Sequence, residues 1–132
     1  MTEGIGIDII EVHRIASLKD NQRFLKRCFT PDEIEYCFRK RFPEQSLAAR
    51  YAAKEAVGKA IGSGVGNSYL PWLDVEVIRS IGKPSIKLHG KMQKALSQPF
   101  FLLSLSHTKE YAAAAVIFRC ESVDRSIFAK QW

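Results

Sequence analysis

Residues 45–61 carry an alanine stripe, with Ala49, Ala53, Ala56 and Ala60 on one face of a helical wheel. Alanine has the highest intrinsic helix propensity, so the stretch predicts a helix. A face of methyl groups buries little area unless a neighbouring backbone comes close, so this helix needs a partner element packed tightly against it. Residues 4–12, GIGIDIIEV, read as the first strand: a β-branched run with Ile5, Ile7 and Ile9 on one face and Gly6, Asp8 and Ile10 on the other. Helix and strand fit within 132 residues as one domain, of which 46% is hydrophobic and 26% charged, a composition that excludes extended disorder.

The rest of the chain predicts an α+β arrangement. Residues 13–29 read as one helix, or as two short ones broken near Asp20-Asn21. Thr30-Pro31-Asp32-Glu33 has the form of a capping box and starts a helix to about residue 40, with Ile34, Cys37 and Phe38 as its buried stripe. Pro43 is expected to interrupt before the alanine helix, and Gly62 to end it as a left-handed cap, followed by a Gly64- and Gly66-containing loop to Pro71. Two hairpins follow. Val75 and Val77 pair with residues 85–88 across Gly82-Lys83-Pro84, and residues 102–106 pair with 111–118, with a short helix over 90–96 between the hairpins. Residues 1–118 form the domain, and 119–132 are a C-terminal extension in which Phe128 and Trp132 either dock or fray.

Charge and cysteine usage narrow the function classes. Lys plus Arg is 20 against 14 Asp plus Glu, a net +6 that favours acidic partners or phosphorylated ligands. Cys28, Cys37 and Cys120 are odd in number and lack metal spacing, so they read as buried small hydrophobes in a reducing, cytoplasmic setting. No apolar run is long enough to span a membrane, and Glu3 and Asp8 interrupt the region where a secretory signal would lie, so the chain is expected to begin near Met1.

Asp8 is the position that most needs explaining. A carboxylate within a strand of isoleucine and glycine requires a cation, and the residues alone leave open a salt bridge or a metal. Glu55 lies on the alanine helix four residues before Lys59, an ordinary ion-pair spacing, while Arg50 and Lys54 share another face. A carboxylate with three cations around it suits a magnesium-bridged phosphate as well as it suits a solvated helix. Gly62, Gly64 and Gly66 follow a helix, which excludes a Rossmann or Walker loop. Ser106-His107-Thr108 carries no hydrolase signature, and His107 reads by itself as a hairpin histidine.

Three segments in order, GIGIDIIEVHRI at 4–15, LAARYAAKEAVGKAIGSGVG at 47–66 and LSLSHTKEYAAAAVI at 103–117, resemble the holo-acyl carrier protein synthases, the small bacterial type of 4′-phosphopantetheinyl transferase. The resemblance implies that family's fold, a small antiparallel or mixed sheet against a long helix. It also implies Mg²⁺-dependent transfer of the phosphopantetheine arm of coenzyme A to a serine of apo-acyl carrier protein, releasing adenosine 3′,5′-bisphosphate. Asp8 and Glu55 match the magnesium ligands and Glu55 and Lys59 the catalytic pair. Arg50, His107 and Thr108 match groups that hold the nucleotide's phosphates, and Gly62 and Gly64 fall in the same site. A homotrimer with sites at subunit interfaces is implied too, as is docking of the acidic carrier protein on the first helix after the strand, with Arg14 among the contacts; Leu18 is expected to add an apolar anchor and Arg23 further positive charge. Between residues 13 and 27 stand Arg14, Lys19, Arg23, Lys26 and Arg27 against the single acid Asp20, which fits such a partner. The competing reading is a small basic nucleic-acid-binding module, but it explains neither Asp8 nor the Glu55 helix, and its basic residues lack interleaved aromatics. Membrane-surface binding by the same stretch is weaker still, because that stretch is poorly apolar.

Overall fold

A three-stranded antiparallel sheet carries the helix that the alanine stripe predicts. The computed structural model describes residues 1–62, 71–79 and 82–129. Strand β1 (Thr2–Glu11) leads into two short helices, α1 (Val12–Ala16) and α2 (Gln22–Cys28), so the chain does break between them. Helix α3 (Pro31–Phe38) starts on the expected capping box, with the Thr30 hydroxyl accepting from Glu33 N–H and the Glu33 carboxylate accepting from Thr30 N–H. Its stripe is narrower than the sequence implies: Cys37 is buried, but Phe38, the last helical residue, is exposed. Helix α4 (Pro43–Ile61) starts at Pro43 instead of after it, because a proline at the first helical position forfeits an N–H that has no acceptor there anyway. Gly62 ends it with φ of 89°, the left-handed cap expected.

A single 3₁₀ turn (Trp72–Asp74) precedes the hairpin β2 (Val75–Arg79) and β3 (Pro84–Leu88), and α5 (Gly90–Ala95) and the two-residue β4 (Leu96–Ser97) follow. Strands β5 (Phe100–His107) and β6 (Tyr111–Cys120) complete the main sheet in the order β1-β6-β5. All strand pairs among the described residues are antiparallel, with no mixed pairing. β6 continues past residue 118, and β7 (Ser122–Val123) then pairs with β4 before the short helix α6 (Ser126–Ala129). The side chains of Phe128 and Trp132 lie outside the described residues.

One face of the sheet packs on α4. Ala112, Ala114, Val116, Phe118 and Cys120 alternate along β6 as buried residues against the helix's Ala49, Ala52, Ala53, Ala56 and Ala60. β1 approaches more closely still. A Cβ placed on Gly4 or Gly6 would overlap the carbonyl oxygen of Ala60 or Ala56, so only glycine lets strand and helix backbones meet. The opposite face is bare: Ile5, Ile7 and Ile9 are 75%, 69% and 67% exposed, and Leu102 and Ile117 lie beside each other on it. The three cysteines are free and buried, and burial pushes each thiol pKa up.

Candidate active site

The glycine contact brings two carboxylates together. Asp8 follows Gly6 on the helix-facing side of β1, and its side chain is 17% exposed. Glu55 precedes Ala56, the residue whose carbonyl Gly6 meets. Lys59, one turn further along α4, donates from Nζ to Asp8 Oδ1 at 3.0 Å and to the Ile7 carbonyl at 3.1 Å. Its ion pair thus crosses from helix to strand. Burial raises the Glu55 carboxyl pKa, and the charge of Asp8 raises it further against the opposing pull of Lys59. One ammonium faces two carboxylates, which leaves an excess of negative charge that favours a further cation. Among the described residues no cluster of three or more His, Cys, Asp or Glu side chains gathers to hold a metal. Two hard oxygen donors suit magnesium, which retains water and takes substrate phosphate oxygens in its remaining positions.

A second cationic site lies elsewhere on the chain. Arg50 and Glu55 are five residues apart on α4, about 140° around its axis. Arg50 therefore points to a cavity of about 480 Å³ lined by Tyr36, Lys40, Arg41, Arg79 and His107, among others; Asp8, Glu55 and Lys59 do not line it. Its guanidinium sits 4.2 Å from the Tyr36 ring centroid, and its Nη1 donates to the Ser46 hydroxyl at 3.0 Å. The buried Arg50 Nε has no protein acceptor. Lys40 stacks on the same ring. Burial alone would raise the Tyr36 hydroxyl pKa, but hydrogen bonding to Lys40 and the charges of Arg50 and Lys40 outweigh it and hold the pKa below its usual range. Such a cavity suits a polyanion, and guanidinium groups can engage phosphate oxygens two at a time. Sequence reasoning found Arg50 and His107 here and missed Tyr36, Lys40, Arg41 and Arg79. The run Arg39-Lys40-Arg41 was a visible signal, whereas Arg79 reaches the cavity only through the β2–β3 hairpin.

Other expected groups fall into different roles. Lys54 is not one of three cations around Glu55. It is fully buried, and Nζ donates to Glu33 Oε1 at 2.7 Å, the Cys28 carbonyl at 2.8 Å and the Trp72 carbonyl at 3.1 Å. Desolvation lowers its pKa against the opposing charge of Glu33. The physical reason for the correction is Glu33: its carboxylate also caps Thr30 N–H and accepts from Val77 N–H at 2.8 Å, so a cation is needed inside the core. Thr108 shapes the β5–β6 turn, its hydroxyl accepting from the Glu110 and Tyr111 amides. Gly62 stands at the end of α4, and Gly64 lies outside the described residues. Arg14 and Arg23 are exposed on α1 and α2, while Leu18, between these helices, is half-buried against the core.

Comparison with known proteins gives the family of the chain and its fold. Residues 4–116 match the family model described as the 4′-phosphopantetheinyl transferase superfamily. A holo-[acyl-carrier-protein] synthase of Chlamydia trachomatis is 46% identical over 116 residues, covering 86% of this chain and 97% of the relative. Among solved structures, the chain is similar to a holo-(acyl-carrier-protein) synthase from Bacillus anthracis in complex with CoA (3′,5′-ADP). That match has a TM-score of 0.75 and 36% identity, and covers 89% of this chain and 96% of the other. It is also similar to the Helicobacter pylori holo-[acyl-carrier-protein] synthase in complex with coenzyme A, with a TM-score of 0.73, 32% identity, and coverage of 87% and 99%.

Proposed function

The chain belongs to the holo-[acyl-carrier-protein] synthases of the 4′-phosphopantetheinyl transferase superfamily, and from that membership we propose that it transfers the 4′-phosphopantetheine arm of coenzyme A to a serine of apo-acyl carrier protein. The observation that carries this reading is the meeting of Asp8, Glu55 and Lys59 where β1 crosses α4. The serine oxygen attacks the pyrophosphate phosphorus next to the pantetheine arm. The bond from that phosphorus to the bridging oxygen breaks, and adenosine 3′,5′-bisphosphate leaves.

Catalysis of this reaction is mostly positioning and charge neutralisation. Asp8 and Glu55 would hold Mg²⁺, which when bound supplies positive charge to the pyrophosphate oxygens. Lys59 orients Asp8 and presents its half-exposed ammonium to phosphate charge. Glu55, beside Asp8 where β1 crosses α4, is also positioned to accept the serine proton. Arg50 and His107, with Tyr36 and Lys40, form a separate cationic cavity that suits the nucleotide's phosphates.

The bare sheet face supports a homotrimer. Three consecutive outward isoleucines on β1, bordered by Ile117 and Leu102, are an apolar surface that a subunit contact would cover. A subunit interface would also let the Arg50 cavity of one chain serve the Asp8–Glu55 pair of its neighbour. The exposed cations of α1 and α2 suit the acidic surface of a carrier protein. No described helix is long and apolar enough to cross a membrane, and three buried thiols fit the reducing cytoplasm. The comparisons give no support to the nucleic-acid reading.

The test is the mass of an apo-acyl carrier protein after incubation with this protein, coenzyme A and Mg²⁺. The expected gain is one phosphopantetheine, abolished in folded Asp8→Asn and Glu55→Gln variants. An unchanged carrier mass with wild-type protein, or full transfer by either variant, rejects the assignment.

A further inference from the structure

The segment after β6 lies beyond residue 116, where the family match ends, so what it does must be read from its own contacts. It is firmly attached. Ser122 and Val123 pair with Ser97 and Leu96, Glu121 N–H donates to the Ser97 carbonyl and Asp124 N–H to the Ala95 carbonyl, both at 2.8 Å. Val123 and Ile127 pack against the core. The Asp124 carboxylate then accepts from Ser126 N–H and Oγ–H, which fixes the turn at Arg125.

From that turn Arg125 Nη2 donates to the carbonyl of Ile61 at 3.1 Å. Ile61 is the last residue of α4, and carbonyls of a last turn have no partner within the helix. Gly62 N–H closes the helix on Gly58, and the Arg125 guanidinium lies just beyond, about 4 Å from where a Cβ on Gly62 would stand. The cation thus satisfies an orphan carbonyl and opposes the negative end of the helix dipole. On its other side the same turn is held by β1, whose Gly4 abuts Ala60. Lys59 stands in this turn and reaches Asp8.

We propose that Arg125 is a positioning residue: by capping α4 from the C-terminal segment, it keeps the last helical turn wound and so holds Lys59 on Asp8. The consequence for transfer rests on the function proposed above, but the structural part does not. Arg125→Ala, Arg125→Met and Arg125→Lys are compared with wild type by amide hydrogen exchange of residues 58–62 and by transfer kinetics. Loss of one cap of this kind should speed exchange of those amides about fivefold in Arg125→Ala and Arg125→Met, with exchange in β6 unchanged. The kcat should fall about as much, at an unchanged KM for carrier protein, and Arg125→Lys should recover at least half of both losses. Unchanged exchange at residues 58–62 overturns the proposal, as does a fall in activity that Arg125→Lys leaves unrelieved. A wild type that transfers nothing rejects the assigned reaction, while the exchange measurement still decides the cap.

Discussion

Gly6→Ala tests the link between backbone packing and chemistry. The added methyl would overlap the Ala56 carbonyl oxygen and stand 2.9 Å from both the Ala56 carbonyl carbon and the Ala60 amide nitrogen. The overlapped carbonyl oxygen is the nearest obstacle, so β1 and α4 must part by more than about 1 Å at this point to restore ordinary contact. Overpacking of this kind costs about 1–3 kcal/mol, and both obstacles are backbone, which places the expected loss near the upper end. For a chain of this size that is a fall in Tm of about 10 °C. Asp8 lies two residues along the strand and Glu55 beside Ala56, so the same separation acts directly on the carboxylate pair, and a displacement near 1 Å can cost about 100-fold in rate. The assay is thermal unfolding followed by single-turnover transfer at a temperature where the variant is fully folded. Adding Ala56→Gly should give no rescue, because the obstacle is a carbonyl and not a methyl. Wild-type Tm with wild-type kcat in Gly6→Ala, or recovery of both in the double variant, would refute the reasoning.

Lys54→Met should destabilise the fold by about 3–5 kcal/mol, since it strands the buried Glu33 carboxylate, and Glu33→Gln added to it should recover part of the loss; chemical denaturation measures both. Mixing Glu55→Ala protein with Arg50→Ala protein after subunit exchange should restore transfer that neither shows alone, whereas an active monomer by sedimentation would remove the shared site. Charge reversal at Arg14 and Arg23 should raise the KM for carrier protein several-fold and flatten its salt dependence with little change in the KM for coenzyme A; the opposite split would move these residues to the nucleotide site.

Local chemistry determined a good deal of this protein. The Thr30–Glu33 box, the Gly62 cap and the alternation of β1 each depend on neighbours in sequence, and each forms where the pattern predicts. The alanine stripe likewise announced a close partner, and Asp8 announced a cation. Which cation, and which lysine belongs to the site, depended on contacts between residues far apart in the chain. Lys54 and Lys59 stand five positions apart on one helix, yet one is sealed in the core by Glu33 and the other reaches Asp8. The difference lies in α3 and the β2 backbone converging on one side of α4 and β1 on the other. The same holds for Arg79 in the cationic cavity and for Arg125 on the end of α4, both delivered by hairpin and strand pairings whose partners no local pattern names. Sequence periodicity says which face of an element is buried; only the packed fold decides what that face meets, because burial of a charge is resolved by whichever opposite charge the topology brings within hydrogen-bonding reach.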